Sequence, residues 1–87
     1  MATEPVGRDA TDAATHLLAS ALDIDIAEVS VDGRLGALRN WDSLGHARVV
    51  MAVEEMIGRE LSTHEILDVV DFAAVVKLIG GTNQDSN

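Results

Sequence analysis

The sequence predicts a small all-α protein, a four-helix bundle with a long loop between helices one and two and a short third helix. Three observations support this fold. Apolar residues recur at helical spacing in the segments assigned to helices. One stretch, residues 24–31, alternates like a β-strand, but no second segment is available to pair with it. The chain has 87 residues, so one small core is expected rather than two.

The first helix is predicted from Ala10 to Leu22, with Asp9 as its N-cap. Apolar residues recur there with i, i+3 and i+4 spacing, at Ala14, Leu17, Leu18, Ala21 and Leu22. Polar segments lie at both ends of the chain. We therefore expect a domain at residues 9–81 between flexible tails at residues 1–8 and 82–87.

The stretch "DIDIAEVSVDGRLGALRN", residues 23–40, is interpreted as a long loop. Its apolar residues alternate loosely with acids and are expected to pin the loop to the core, at Ile24, Ile26, Val29, Val31 and Leu35. Loops longer than about 12 to 15 residues are uncommon in compact domains and are usually functional or disordered. The length of this loop therefore indicates that it is either functional or disordered.

The second helix is predicted from Ser43 to Ile57, where Gly58 supplies a left-handed cap. On a helical wheel its apolar residues cover most of the circumference, namely Leu44, Ala47, Val49, Val50, Met51, Val53, Met56 and Ile57. A narrow stripe is expected to face solvent, consisting of Gly45, Arg48, Ala52 and Glu55 with Glu54 beside it. This helix is therefore expected to be central and to contact its neighbours on several sides.

Two shorter helices are predicted in the C-terminal part. In "STHEILDVV", Ser62 and Glu65 have the spacing of a capping box, in which each side chain bonds the other residue's backbone N–H. Asp71 is expected to cap "FAAVVKLIGG", with Gly80 beyond its end. The apolar face of that last helix consists of Phe72, Val75, Val76 and Ile79. With one Phe, one Trp and no Tyr, the core is expected to be aliphatic and compliant.

Composition and charge exclude several classes of function. A net charge of −9 and a pI near 4.4 argue against nucleic acid and anionic membranes as partners, since both bind Lys and Arg. Partners are expected to carry basic patches instead. The chain has no cysteine, which excludes disulfides and thiolate metal sites. Neither a leader segment nor a membrane span is recognised, so a cytoplasmic location is expected.

No metal site is predicted. The acidic residues of the long loop lack the glycine and the ligand spacing of a calcium loop, and a solvated loop is the preferred interpretation of Asp23, Asp25, Glu28 and Asp32. The histidines are far apart in the sequence, at His16, His46 and His64. Without cysteines they make a poor zinc site.

Ser43 opens the most apolar helix of the chain, and three roles are considered for it. Asp42 or Ser43 caps the helix, because both residue types favour that position. A hydrolase nucleophile is disfavoured, because His46 on the same first turn has no third group to orient it. A phosphodiester on Ser43 would suit the free N–H groups and the positive dipole end of the helix.

The segment from Asp42 to about Ile79 resembles an acyl carrier protein, a small four-helix domain that carries intermediates as thioesters. The resemblance rests on Asp42-Ser43-Leu44, on the helix "SLGHARVVMAVEEMIG", on the turn "RELS" and on the closing segment "VVDFAAVVKLI". The first helix and the long loop are similar to the family in placement and less so in detail.

The resemblance implies that Ser43 is the attachment site for 4′-phosphopantetheine, transferred from coenzyme A by a separate magnesium-dependent transferase. That group would supply the thiol that the chain lacks. Asp42 matches the family's aspartate before the serine, which is associated with transferase recognition. The chain would not be an enzyme but a tether, acting as a monomer with acyl-loading, acyl-transfer or condensing enzymes that present basic patches.

The sequence also departs from the family pattern. Leu-Gly often comes shortly before the Asp-Ser pair in the family, but here residues 39–41 read Arg-Asn-Trp. The exposed stripe of the second helix is often acidic, and Arg48 occupies a position that is often glutamate. Arg48 would repel a partner that places a basic residue opposite it, so exchange with a typical fatty-acid system is in doubt.

Candidates for docking partner proteins are Leu44, Arg48, Glu55, Trp41 and His46. Leu44 matches an apolar position that partners commonly contact, with an ordinary edge-of-core leucine as the alternative. For Trp41 the alternative is an anchor that packs the loop onto the core. For His46, which would contact a partner or the phosphate, the alternative is a solvated or loosely packed ring.

Together these features predict a discrete carrier in a pathway of separate enzymes. The "WDSL" variant and Arg48 favour specialised, polyketide-type biosynthesis over general fatty-acid synthesis. The cargo stays open between a polyketide-type acyl group, a small hydroxyacyl or glyceryl unit, and an aminoacyl group. The alternative function is an acidic helical adaptor that acts by docking alone and never acquires the prosthetic group.

Overall fold

The computed structural model describes residues 6–81, with side chains described for residues 10–80. Within that range the chain forms four α-helices, which confirms the predicted all-α bundle: α1 (Val6–Leu22), α2 (Ser43–Ile57), α3 (Thr63–Asp68) and α4 (Phe72–Gly81). A 3-10 turn at Ile26–Glu28 lies in the loop between α1 and α2. The described residues contain no β-strand, only an antiparallel bridge between Arg34 and Asp71.

Helix α1 begins earlier than predicted. It starts at Val6, so Asp9 lies inside the helix and is not its N-cap, and residues 6–8 belong to the domain rather than to a tail. The added turn has no apolar periodicity to reveal it. At Ala10, where the predicted helix begins, the side chain is buried, and a Cβ added to Gly80 of α4 would lie 2.6 Å from the Ala10 Cβ. The remaining predicted tail residues, 1–5 and 82–87, lie outside the described part.

Helix α2 buries one face and leaves another open, so the prediction of a helix surrounded by neighbours is wrong. Its buried residues are Gly45, Val49, Val50 and Val53. Leu44, Met51 and Met56 are 64%, 62% and 51% exposed. Gly45, predicted to face solvent, is buried instead. A helical wheel shows which residues are apolar but not which neighbouring helices cover them. Here the third helix has only six residues and is too short to cover a second face of α2.

The long loop is confirmed, but its anchors are partly different from those predicted. Ile24 is buried and Val29 half-buried, whereas Ile26, Val31 and Leu35 are exposed. Trp41, at the end of the loop, is the largest fully buried side chain. Backbone bonds also hold the loop to the segment before α4: Leu35 N–H donates to the Val70 carbonyl (2.8 Å) and Phe72 N–H to the Gly33 carbonyl (2.9 Å).

The predicted caps are confirmed where they depend on local sequence. Ser62 and Glu65 form the capping box of α3, and Asp71 accepts a bond from Ala74 N–H at the start of α4 (2.8 Å). Gly58 ends α2 in the left-handed conformation with φ 78°. Gly80 differs from the prediction, because α4 continues through it to Gly81.

The core consists of aliphatic side chains from α1, α2 and α4, closed by the loop and by Phe72. Its fully buried members include Ala14, Leu18, Leu22, Trp41, Val49, Val53, Val69 and Val75. Of the predicted α4 face, Phe72 and Val75 are buried, and Val76 and Ile79 are half-buried. No helix in the described range has the combination of length and apolarity needed to cross a bilayer.

Candidate functional site at the start of helix α2

Ser43 is the first residue of α2 and its side chain is exposed. The N-cap is Asp42, which has extended backbone angles (φ −113°, ψ −164°) and whose carboxylate accepts a bond from Gly45 N–H at 2.9 Å. The Asp42 carbonyl also accepts from His46 N–H at 2.7 Å. Of the two capping candidates, Asp42 therefore caps the helix. Within residues 6–81 the Ser43 hydroxyl forms no hydrogen bond, so the cap does not occupy it.

The first turn of α2 offers hydrogen-bond donors beside Ser43. The Asp42 carboxylate occupies Gly45 N–H, while the N–H groups of Ser43 and Leu44 have no acceptor within the described residues. Those two groups and the helix dipole favour negative charge beside the serine. The carboxylate of Asp42 opposes this effect, since it places a negative charge at the same end.

The position of Ser43 is fixed from outside α2 as well. Asn40 adopts a left-handed backbone conformation (φ 68°), and its side-chain amide donates to the Leu22 carbonyl at the end of α1 (2.8 Å). Gly45 has no side chain, which lets the Asn40 carbonyl lie directly against α2. Sequence reasoning missed both residues. The available signals were a glycine in the first turn of an apolar helix and an asparagine, which tolerates left-handed angles, shortly before it.

The structure corrects the docking prediction for Trp41. This side chain is 1% exposed and belongs to the core, so it is not available to a partner, and the alternative interpretation as an anchor is confirmed. Its indole N–H donates to Nδ1 of His46 at 3.1 Å, and the two rings are stacked with an interplanar angle of 24°. The loop is thereby attached to the first turn of α2 by packing and by a hydrogen bond.

His46 is half-buried and is not a solvated or loosely packed ring, while its contact with a partner remains a prediction. An indole N–H can only donate, so Nδ1 must accept, and the ring proton is assigned to Nε2. Nε2 then donates to the Ile66 carbonyl in α3 at 2.9 Å. With both nitrogens engaged, His46 offers no free base to Ser43 in this conformation. Its contacts instead connect the loop, α2 and α3.

The other docking candidates are accessible. Leu44 is 64% exposed, which rules out its alternative role as an edge-of-core leucine, and Arg48 and Glu55 are also exposed. A surface depression of about 200 Å³ lies beside the start of α2, and its lining includes Asn40, Asp42, Leu44 and Arg48. Two of these residues, Asp42 and Leu44, are the sequence neighbours of Ser43, and the contact of the docking candidates with a partner remains a prediction.

The acidic loop is organised by an arginine. Arg39 donates two bonds to Glu28, at 2.7 and 2.9 Å, and these bonds lower the pKa of Glu28 to about 2. Glu28 is therefore held as a carboxylate by a cation of the same loop. Within the described residues, no three His, Asp or Glu side chains are placed so that they could share a metal ion.

Comparison with known proteins adds no family assignment. No protein-family model matches the sequence, and no curated protein matches it at a significant level. Fold and site together define a small all-α bundle with an exposed serine hydroxyl at the start of its second helix. The chemistry of Ser43 at the start of α2 is the basis for proposing a function.

Proposed function

We propose that this chain is an acyl carrier protein that receives 4′-phosphopantetheine on Ser43 and carries biosynthetic intermediates as thioesters. The main supporting observation is the division of roles at the start of α2. Asp42 caps the helix, while the neighbouring Ser43 is exposed and its hydroxyl has no partner within the described residues. A serine needed only for capping would direct its hydroxyl to the backbone.

The residues around Ser43 fit a phosphodiester. The N–H groups of Ser43 and Leu44 lack acceptors in the described structure, and the positive end of α2 favours a phosphate there. The Ser43 side chain is itself exposed, so a bulky group can be attached there. When bound, the group supplies the thiol that forms the thioester, which this cysteine-free chain does not contain.

Attachment would proceed by phosphoryl substitution at the hydroxyl. The Ser43 oxygen forms a bond to the pantetheine phosphate of coenzyme A, and the bond between that phosphorus and the bridging oxygen of the pyrophosphate breaks. Adenosine 3′,5′-bisphosphate leaves, and the hydroxyl proton passes to a base on the transferase. In this proposal the carrier contributes the nucleophile and its fixed position, while the transferase and its magnesium ion contribute the catalysis.

Asp42 has two roles in the proposal. Its carboxylate holds Gly45 N–H and so fixes the first turn, and its exposed position suits contact with the transferase. The further partners would be acyl-loading, acyl-transfer or condensing enzymes with basic docking surfaces, since the chain has a net charge of −9. A specialised, polyketide-type pathway remains the favoured setting because of Trp41 and Arg48.

The attachment is tested by incubating the full chain with coenzyme A, magnesium and a promiscuous phosphopantetheinyl transferase, followed by intact-mass measurement. We expect the mass to rise by one phosphopantetheine. Ser43→Ala should show no gain, whereas Ser20→Ala, which removes another exposed serine, should be modified normally. Asp42→Asn keeps an N-cap acceptor, so it should slow the modification without lowering the urea midpoint.

Two results would contradict the proposal. One is an unchanged mass with several transferases while the tryptophan emission shows that the chain is folded. The other is modification that persists in Ser43→Ala. An unmodified, folded chain would favour the alternative function, an acidic adaptor that works by docking alone.

A further inference from the structure

A groove of about 460 Å³ runs along the surface between α1 and α2. Its floor is apolar and includes Leu17, Ala21 and Ala52, and Met51 and Met56 stand along it. Both methionines are more than half exposed, at 62% and 51%. Unbranched thioether side chains adapt their shape to an apolar partner at little cost, so this surface suits docking better than a rigid one would.

Two opposite charges line the groove, Arg48 before Met51 and Glu55 next to Met56. Arg48 and Glu55 both line the groove and are seven positions apart on α2, which corresponds to two helical turns or about 10 Å. Within the described residues neither side chain forms an ion pair, in contrast to Arg39 with Glu28 and Arg59 with Glu65. Arg48 lies at the end nearer Ser43. The groove therefore has a positive charge at one end, Met51 and Ala52 in its middle, and a negative charge beside Met56 toward the other end.

We propose that this groove docks an amphipathic helix of a partner enzyme, with an acidic side chain opposite Arg48, apolar side chains over Met51 and Met56, and a basic side chain opposite Glu55. The inference deepens the proposed carrier function and rests on it for the partner's identity as a pathway enzyme. The order of the charges defines the direction in which a helix with one acid and one base lies. The acid of the partner points toward Ser43.

A second copy of this chain is the main competing occupant. An antiparallel pairing of two α2 helices would place each Arg48 opposite the other copy's Glu55. Each copy has a net charge of −9, however, so association of two copies is opposed by repulsion. A stable interface buries roughly 800 Å² on each partner, which requires favourable surface beyond one groove. A partner with net positive charge avoids the repulsion, and its basic surface is attracted to the acidic surface beyond the groove.

The test uses a synthetic helical peptide of about 15 residues as the probe, stapled because unconstrained helices of that length are marginal in water. It has net positive charge, a glutamate near its N-terminus, a leucine stripe, and a lysine two turns after the glutamate. A nitroxide at the peptide N-terminus reports its direction by broadening nearby amide signals of the isotope-labelled protein. We expect shift changes along the groove, with broadening at the Ser43 end.

Charge variants make the test specific. Arg48→Glu/Glu55→Arg keeps the net charge and the methionines, and the broadening should move to the Met56 end. Arg48→Glu alone should weaken binding by about tenfold although it makes the protein more attractive to a basic peptide. The matched control is Lys77→Glu on α4, which changes the net charge equally and should not weaken binding.

Three results would overturn the inference: no shift changes in groove residues, the same broadening in wild type and the exchanged variant, or a concentration-dependent dimer of the wild type in sedimentation. The measurement uses unmodified protein and gives the same result with Ser43→Ala. A negative result in this binding experiment would therefore overturn the docking inference alone. The carrier function is tested separately, by the intact-mass measurement.

Discussion

His46 joins three parts of the fold through one imidazole ring. Nδ1 accepts from the buried Trp41, and Nε2 donates to the Ile66 carbonyl. We predict that His46→Leu destabilises the protein by about 1 to 3 kcal/mol, because the indole N–H loses its acceptor inside the core and the carbonyl loses its donor. The measurement is urea unfolding followed by the emission of Trp41, the single tryptophan.

The matched control for that prediction is Arg48→Leu. Arg48 lies on the same helix but is exposed and forms no ion pair in the described structure, so its replacement should change the urea midpoint little. His46→Gln provides a second comparison, since an amide can accept and donate. Equal midpoints for wild type and His46→Leu would show that the ring contributes nothing to stability.

Gly45 and Asn40 illustrate what a local pattern cannot reveal. Alanine is the better helix former, yet a side chain at position 45 would overlap the Asn40 carbonyl and approach Leu22. Asn40 in turn holds the end of α1 through the Leu22 carbonyl. The requirement for glycine arises from contacts between residues distant in the sequence, so no wheel could have placed Gly45 in the interior.

Helix α3 is the shortest of the four described α-helices, and its first turn is held by a capping box. It has six residues, and Glu65 accepts from Ser62 N–H at 2.9 Å and from Arg59 at 3.0 and 2.8 Å. The Arg59 bonds, with help from the Ser62 N–H, lower the pKa of Glu65 to about 2. The charged carboxylate therefore ties the turn after α2 to the start of α3.

We predict that this contribution depends on pH. Because the folded pKa of about 2 lies below the ordinary 4.5, the stabilisation is complete above pH 4.5 and is lost as the pH falls toward 2. Glu65→Gln should therefore have a lower urea midpoint than wild type at pH 7, with a smaller difference near pH 3. Glu60→Gln, at an exposed neighbouring position, serves as the control. A difference that grows on acidification would contradict the assignment.

Net charge acts on the molecule as a whole. Fifteen acidic residues against six basic ones give −9, and this excess repels itself in the compact state. We predict that raising NaCl from about 0.02 to about 0.5 M raises the urea midpoint, because screening weakens the repulsion. Salt also weakens the exposed ion pairs Arg39–Glu28 and Arg59–Glu65, which would lower the urea midpoint. Such pairs contribute only about 0 to 1 kcal/mol each to stability, so the relief of repulsion should be the larger effect.

A variant with less negative charge tests whether charge repulsion causes the predicted rise of the urea midpoint with salt. Asp12→Asn/Glu60→Gln removes two exposed acids, and it should show a smaller increase in the midpoint over the same salt range. A midpoint that falls with salt would mean that the ion pairs outweigh the repulsion. An equal increase in both proteins would point to a salt effect unrelated to charge.

By itself the sequence determined the helices, most of their ends, and the carboxylate and hydroxyl that Asp42 and Ser43 place at the start of α2. Caps such as Asp42 and Ser62, and the left-handed Gly58, depend on residues within a few positions of each other, so local patterns predict them. Tertiary structure alone decided that α2 leaves its methionines exposed, that Trp41 is buried, and that the half-buried His46 bonds to both Trp41 and Ile66. Those outcomes depend on contacts between residues distant in the sequence, such as His46 with Ile66, because a side chain is buried only where another element packs against it.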